Sequence, residues 1–287
     1  LKEAIDVEQS LCSVERVLEY LDIDQEAPHA LESDPSEGTW PSKGQIEIKN
    51  LCIRYRPDLP LALRGMSLAI RAGEKIGIAG RTGAGKSSLL LALFRLFEPE
   101  ASSSLTIDRV DITKLGLGTL RSGLSIIPQE PVLFEGSVRY NLDPFTMYSD
   151  VQVWQALELV QLSAAVSQAG GLDFELTSGG ANMSQGQRQL ICLARVLLRK
   201  DNCKILVCDE ATSSVDTHTD ALVQQIIHNE FSSSTVLTIA HRIDTILNSD
   251  RILVLGDGKI LEFDSPRRLL ENPNSVLSLL KNGSNDT

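Results

Sequence analysis

The apolar positions of this chain change period as it is read from the N-terminus. Residues 4–21 place Ile5, Leu11, Val14, Leu18 and Leu21 at near-helical spacing with charges between them, which predicts an amphipathic helix. Residues 45–55 and 66–71 then alternate like half-buried strands around the turn "RPDLP". The runs 74–80, 203–210 and 234–240 are continuously apolar, as central parallel strands covered on both faces require. Residues 251–263 read as a hairpin turning at Asp257-Gly258. Helical periods occupy 86–97, 151–168, 185–200 and 218–231, so strands alternate with helices. The expected fold is α/β, a parallel core with an antiparallel sheet on its flank, and no internal repeat is visible.

Between the first helix and the first strand lies "IDQEAPHALESDPSEGTWPSK", acidic and rich in Pro, Ser and Gly, which reads as a linker over 23–43. The 287 residues, 42% of them hydrophobic, suffice for one large domain or two smaller ones. A formal net charge of -11 argues against a nucleic-acid surface, which needs clustered Lys and Arg. Any phosphate must therefore be handled locally. The five cysteines lack motif spacing and read as reduced thiols. No run approaches the ~18 apolar residues of a membrane span; "LLLALF" stops at Arg95. A start at Leu1 without a signal-peptide pattern suggests a piece of a longer protein. The sequons at Asn182, Asn282 and Asn285 are then chance matches.

Three stretches carry chemistry. "GRTGAGKS", residues 80–87, has the phosphate-loop spacing and its context, a strand ending at Gly80 and a helix opening at Lys86. Gly83 and Gly85 let the backbone turn its N–H groups toward phosphate oxygens, Lys86 reaches the β and γ phosphates, and the Ser87 hydroxyl can hold Mg²⁺. The whole loop, Gly80, Arg81, Thr82, Gly83, Ala84, Gly85, Lys86, Ser87 and Ser88, is the candidate nucleotide cradle. The run 205–208 delivers Asp209 to the C-terminal end of a buried strand, as a second carboxylate for the metal, and Glu210 is positioned as general base for an attacking water. Finally "NMSQGQRQLICLARVLL" passes from a polar loop into an apolar helix, with Ser184 as cap and free N–H groups that suit an anion.

Together with "IIPQEPVLFEGSVRYNLDP", "ILVCDEATSSVD" and "TIAHR", these stretches stand in the order and spacing of ABC-transporter nucleotide-binding domains, which residues 44–272 resemble. Within that family the chain is similar to the second such domain of the C subfamily, the multidrug-resistance-associated proteins, through "YRPDLPLALRGMSLAI", "RYNLDP" and "QGQRQLICLARVLL". The resemblance implies a P-loop NTPase (RecA-like) core over 44–128 and 190–272 with its antiparallel β subdomain. It also implies a helical subdomain over 129–189, a helix over 1–22 continuing from a membrane domain, and a tail over 273–287.

The resemblance further assigns residues that spacing alone leaves open. Tyr55, by itself an outward strand aromatic, would stack on adenine; Gln129, by itself a loop amide, would be the Q-loop glutamine at Mg²⁺ or the attacking water. His241, by itself structural, would contact the γ phosphate, and the D-loop residue Asp216 would cross a dimer interface. Ser184, Gln185, Gly186 and Gln187 would form the signature loop serving an ATP bound to a partner domain. Met183 and Gln185 depart from the common LSGGQ pattern, and Gln185 places a side chain where the pattern has glycine. The implied activity is Mg-dependent ATP hydrolysis at the cytoplasmic face of a membrane, powering export. The implied partners are the first nucleotide-binding domain of the same full-length chain, in a head-to-tail heterodimer, and transmembrane domains contacted through the Q-loop region, with no nucleic acid. The alternative is a regulatory nucleotide sensor of a channel-type member of the same subfamily.

Overall fold

A computed structural model describes residues 2–23, 25–36, 38–209, 217–240 and 243–283. Helix α1 (Lys2–Leu21) precedes strands β1 (Ile46–Ile53), β2 (Leu63–Ile70) and β3 (Lys75–Ala79), helix α2 (Lys86–Leu93), the hairpin β4 (Ser104–Ile107) and β5 (Val110–Asp111), helix α3 (Leu117–Gly123) and β6 (Ser125–Ile127). A helical insertion follows: β7 (Gly136–Ser137), α4 (Val138–Leu142), α5 (Asp150–Leu159), α6 (Ser163–Ala169), β8 (Glu175–Leu176) and α7 (Gln185–Leu198). The chain returns through β9 (Ile205–Asp209), α8 (Thr217–Glu230), β10 (Thr235–Ile239), α9 (Ile243–Ile246), β11 (Arg251–Gly256), β12 (Lys259–Asp264), α10 (Pro266–Glu271) and α11 (Val276–Gly283). No helix of the described residues is long and apolar enough to cross a membrane.

The central sheet runs β12-β11-β3-β10-β9-β6, parallel except for the antiparallel edge strand β12, and a second, antiparallel sheet runs β2-β1-β4-β5. The continuous apolar runs have their expected cause. In β9, Ile205 and Val207 face the core that includes α2 and the antiparallel sheet, while Leu206 and Cys208 face α7 and α8 on the other side. Both faces are dry, so alternation is lost.

Two predicted helices are shorter than their periodicity. The period over 151–168 is interrupted: α5 ends at Leu159, Gln161 takes φ +58°, and α6 restarts at Ser163, which lets Val160 and Leu162 both turn into the core. The period over 86–97 stops at Leu93, because Arg95 turns left-handed (φ +47°) and buries its guanidinium against the carbonyls of Ile112 (2.9 Å) and Leu115 (2.8 Å).

The acidic stretch ahead of β1 is seated on the domain like a strap. Asp34 accepts from Gly116 N (2.8 Å) and Thr119 Oγ1 (3.0 Å), Pro28 and His29 carbonyls accept from Leu117 N and Gly118 N, and Glu26 pairs with Arg121. These contacts satisfy the N–H groups that open α3. At Gly116 a Cβ would lie 2.6 Å from the His29 carbonyl oxygen and 2.7 Å from Ala30 Cα, so glycine there lets the strap backbone approach. Trp40 is buried and donates to Ile107 O (3.2 Å). Asp108, in the β4–β5 turn at φ +49°, accepts from four successive backbone N–H groups, Ser42 (2.7 Å), Lys43 (2.8 Å), Gly44 (3.1 Å) and Gln45 (2.9 Å).

At the other end of the chain, the Glu262 carboxylate on β12 caps α11, accepting from Val276 N (2.8 Å) and Leu277 N (3.1 Å). Both orphan donors and the helix dipole favour a negative charge there. Glu262→Ala is expected to cost about 1–2 kcal/mol. Chemical denaturation checks the loss, and hydrogen exchange should locate it in α11; unchanged exchange of the Val276 and Leu277 amides would contradict the cap.

Candidate functional site

The loop between β3 and α2 has the backbone geometry of a candidate anion cradle. Gly85 sits at φ +102° with a virtual Cβ 2.8 Å from Leu63 Cδ2, and it opens α2 with no side-chain cap. Gly83, at φ +81°, has nothing within 4 Å of its virtual Cβ, so its backbone faces open space where a ligand can approach. The uncapped N–H groups of the first turn carry the positive end of the helix dipole. Ala84 is buried, whereas Arg81, Thr82 and Ser87 are exposed. Lys86 is buried and folds back, its ammonium donating to Gly80 O (2.8 Å) and Arg81 O (3.4 Å). Those carbonyls satisfy the charge in a form that a phosphate oxygen can replace.

Tyr55 lies just beyond β1 beside this loop. Its hydroxyl is 2.6 Å from Ser88 Oγ and its ring meets Phe97 edge-on, with centroids 4.7 Å apart at 81°. Ser88, the last residue of the loop, thus fixes the aromatic group against the head of α2.

Ser87 and Asp209 line one cavity of about 510 Å³, with Ser125 and Ile126 of β6 and with Phe94, Arg121 and Arg195. The Ser87 hydroxyl in the first turn of α2 and the Asp209 carboxylate at the C-terminal end of β9 are oxygen donors of the kind Mg²⁺ takes. The adjoining Cys208 thiol is buried in the core with α7 and α8, and that burial pushes its pKa up to about 12, so it stays neutral there. β9 and β10 end in register, Asp209 opposite Ile239. Gln129 is exposed two residues beyond β6. Glu210, Asp216 and His241 lie outside the described residues.

The signature stretch is placed apart from this cavity. Ser184 caps α7 in a reciprocal box: Gln187 N donates to Ser184 Oγ (3.2 Å), and Ser184 N donates to Gln187 Oε1 (2.9 Å). The cap follows from Ser184 as the sequence predicts. The part played by Gln187 was missed, although Ser-x-x-Gln ahead of an apolar run is the sequence signal for it. Ser184 and Gln185 are exposed, and the Gln185 side chain projects where the common pattern has none. The cavity is lined by Arg195 and Val196 of α7 and by Arg199 just after it, and by none of Ser184–Gln187, which lie ~12–16 Å from Arg195 along the helix axis.

Sequence reading also missed the frame around the site. Arg195 donates to Val132 O (2.7 Å), Asn141 O (2.6 Å) and Asn141 Oδ1 (2.9 Å), and the buried Asn141 pairs with both backbone groups of Phe134. Asp143 accepts from Met147 N (3.0 Å), Tyr148 N (2.8 Å) and Arg139 (2.9 Å). Burial alone would raise its carboxyl, but these donors together hold it below the usual carboxylate range. Arg139, Asn141 and Asp143 of "RYNLDP" are therefore loop ties.

Residues 63–213 match the family model of ABC transporters. The chain is 52% identical over 268 residues to ATP-binding cassette sub-family C member 2 of Mus musculus, covering 93% of this chain and 17% of that protein. It is 52% identical over 275 residues to ABC transporter C family member 13 of Oryza sativa subsp. japonica, covering 96% and 18%. The chain thus spans less than a fifth of the length of these relatives. Among solved structures, a bacterial Atm1-family ABC exporter with ATP bound superposes with a TM-score of 0.86 at 29% identity, over 97% of this chain and 48% of that one.

Proposed function

Since the chain belongs to the ABC transporter family, with C-subfamily proteins among its relatives, we propose that it is the second nucleotide-binding domain of a longer exporter and drives transport by hydrolysing ATP. The observation that carries this reading is the division of labour just described. The glycine loop, Tyr55, Ser87 and Asp209 gather at the head of α2, while the capped signature turn stands apart from them on α7.

In this reading Tyr55 offers its ring to adenine, and the N–H groups from Gly83 to Ser88 receive phosphate oxygens. Lys86 leaves the Gly80 carbonyl to pair with the β and γ phosphates. Mg²⁺ would be held by Ser87 and Asp209 with Gln129 beside it, and would supply charge neutralisation at the phosphates. Glu210 accepts the proton of the attacking water, His241 steadies the γ phosphate, and Asp216 reaches across to the partner. Ser184 and Gly186 serve an ATP held by the first nucleotide-binding domain of the same polypeptide, head to tail. The helical insertion meets the membrane domains at the cytoplasmic face. Supporting that contact, four large apolar side chains downstream of Gln129, Val132, Phe134, Phe145 and Met147, are 56, 60, 80 and 71% exposed.

The isolated chain should bind Mg-ATP, and Lys86→Ala should weaken binding at least tenfold, since it removes a charge-assisted contact to phosphate worth ~1.5–3 kcal/mol. Titration calorimetry tests both. Absence of binding at millimolar nucleotide, or wild-type affinity in Lys86→Ala, would overturn the site.

A further inference from the structure

Gln129 sits in a short span of chain whose two ends are tied to the same helix. Upstream, the side chain of Gln189, 1% exposed in the second turn of α7, donates from Nε2 to Pro128 O (3.3 Å). Downstream, Arg195 of α7 donates to Val132 O (2.7 Å) and grips Asn141, which in turn holds Phe134. Between the two tied carbonyls lie Gln129, Glu130 and Pro131 alone. Pro128 and Pro131 fix their own φ angles, so this span has few soft torsions left. A shift of Gln129 along α7 would therefore strain the bond at Pro128 O, the bond at Val132 O, or both.

We propose that Gln189, supported by Arg195, is a positioning residue that makes the Q-loop and the signature helix one mechanical unit. Engagement of Gln129 at this domain's own nucleotide is thereby passed to the turn capped by Ser184, five residues ahead of Gln189, which serves the partner's nucleotide. The inference rests on the function proposed above. The coupling is reciprocal: occupation of the signature turn biases where Gln129 stands.

The test is a double-mutant cycle on ATP hydrolysis by the full-length protein. Gln189→Met keeps the length of the side chain and removes the donor. It should lower kcat ~10-fold or more, as loss of the group that orients a metal contact does, with KM for ATP and the thermal midpoint nearly unchanged. In a Gln129→Ala background the same substitution should add nothing, because its effect runs through Gln129. Wild-type kcat in Gln189→Met, or effects that multiply in the double mutant, would overturn the proposal while leaving the nucleotide site standing. Unchanged hydrolysis in Gln129→Ala would instead remove the Q-loop assignment and the proposal with it. Should Gln189→Met fail to fold, Gln189→Asn keeps an amide but draws it back from Pro128 O, and the same outcomes decide.

Discussion

Glu210→Gln is expected to slow ATP hydrolysis by the full-length protein by roughly 10²- to 10⁴-fold while Mg-ATP binding persists. The amide keeps the size and hydrogen-bonding reach of the carboxylate but cannot accept the proton of the attacking water. The nucleotide contacts lie elsewhere, on the loop from Gly80 to Ser88 and at Tyr55. Trapping of nucleotide with measured turnover reads both quantities, and hydrolysis within a few-fold of wild type would remove Glu210 from its role.

Ser184→Arg makes the contrast. It destroys the box with Gln187, at a cost of about 0.5–2 kcal/mol to the helix start, and sets a long cation at the turn proposed to face the partner's γ phosphate. Mg-ATP affinity of the isolated chain should stay nearly unchanged while ATP-dependent closure of the full-length protein is lost. If the isolated chain instead stopped binding ATP, the signature turn would belong to its own pocket, and the head-to-tail reading would fall.

Asp108→Asn is expected to be among the most damaging substitutions outside the nucleotide site, destabilising the domain by about 2–3 kcal/mol. The carboxylate fills a ring of four consecutive N–H groups, and asparagine accepts the left-handed backbone but offers one oxygen in place of two. Burial pushes this carboxyl upward, yet the N–H groups of Lys43, Gly44, Gln45 and Ser42 outweigh it and hold it below the ordinary value. A depressed carboxyl stabilises the fold fully above the unfolded value, about 3.9, and loses that contribution as pH falls through the folded value. The gap between wild type and Asp108→Asn should therefore be constant from neutral pH to about 5 and shrink below about 4. Denaturation midpoints across this range measure it; a gap that grows toward low pH would contradict the assignment.

The parallel core was legible because burial on both faces leaves a run such as 205–208 with no polar position, and because the phosphate loop and Asp209 mark strand ends by residue type alone. β6 was not legible. It has three residues, and its strand character comes from pairing with β9, about eighty positions away in sequence. The strap escaped for a related reason: Glu26, Asp34 and the chain around Ser42 look like solvated acidic linker, and their partners Arg121, Gly116 and Asp108 are distant along the chain. The break at Gln161 was hidden because Val160 and Leu162 keep an apolar pattern that a continuous helix would also produce. Of the site, the residues of the glycine loop were readable from the motif. The ties of Gln189 and Arg195 were not, since a buried glutamine on a helix has no signature until its acceptor is known.

The seated strap also sets where load enters the domain. From Glu26 to Gln45 the chain is fastened to α3 by Asp34, to the β4–β5 turn by Asp108 and to Ile107 by Trp40. A pull on the chain ahead of Glu26 therefore reaches the domain first at α3, through Glu26 on Arg121 and Asp34 on Gly116. Residues spliced in ahead of Glu26 would only lengthen a tether, whereas the same residues between Asp34 and Trp40 would open a clamp.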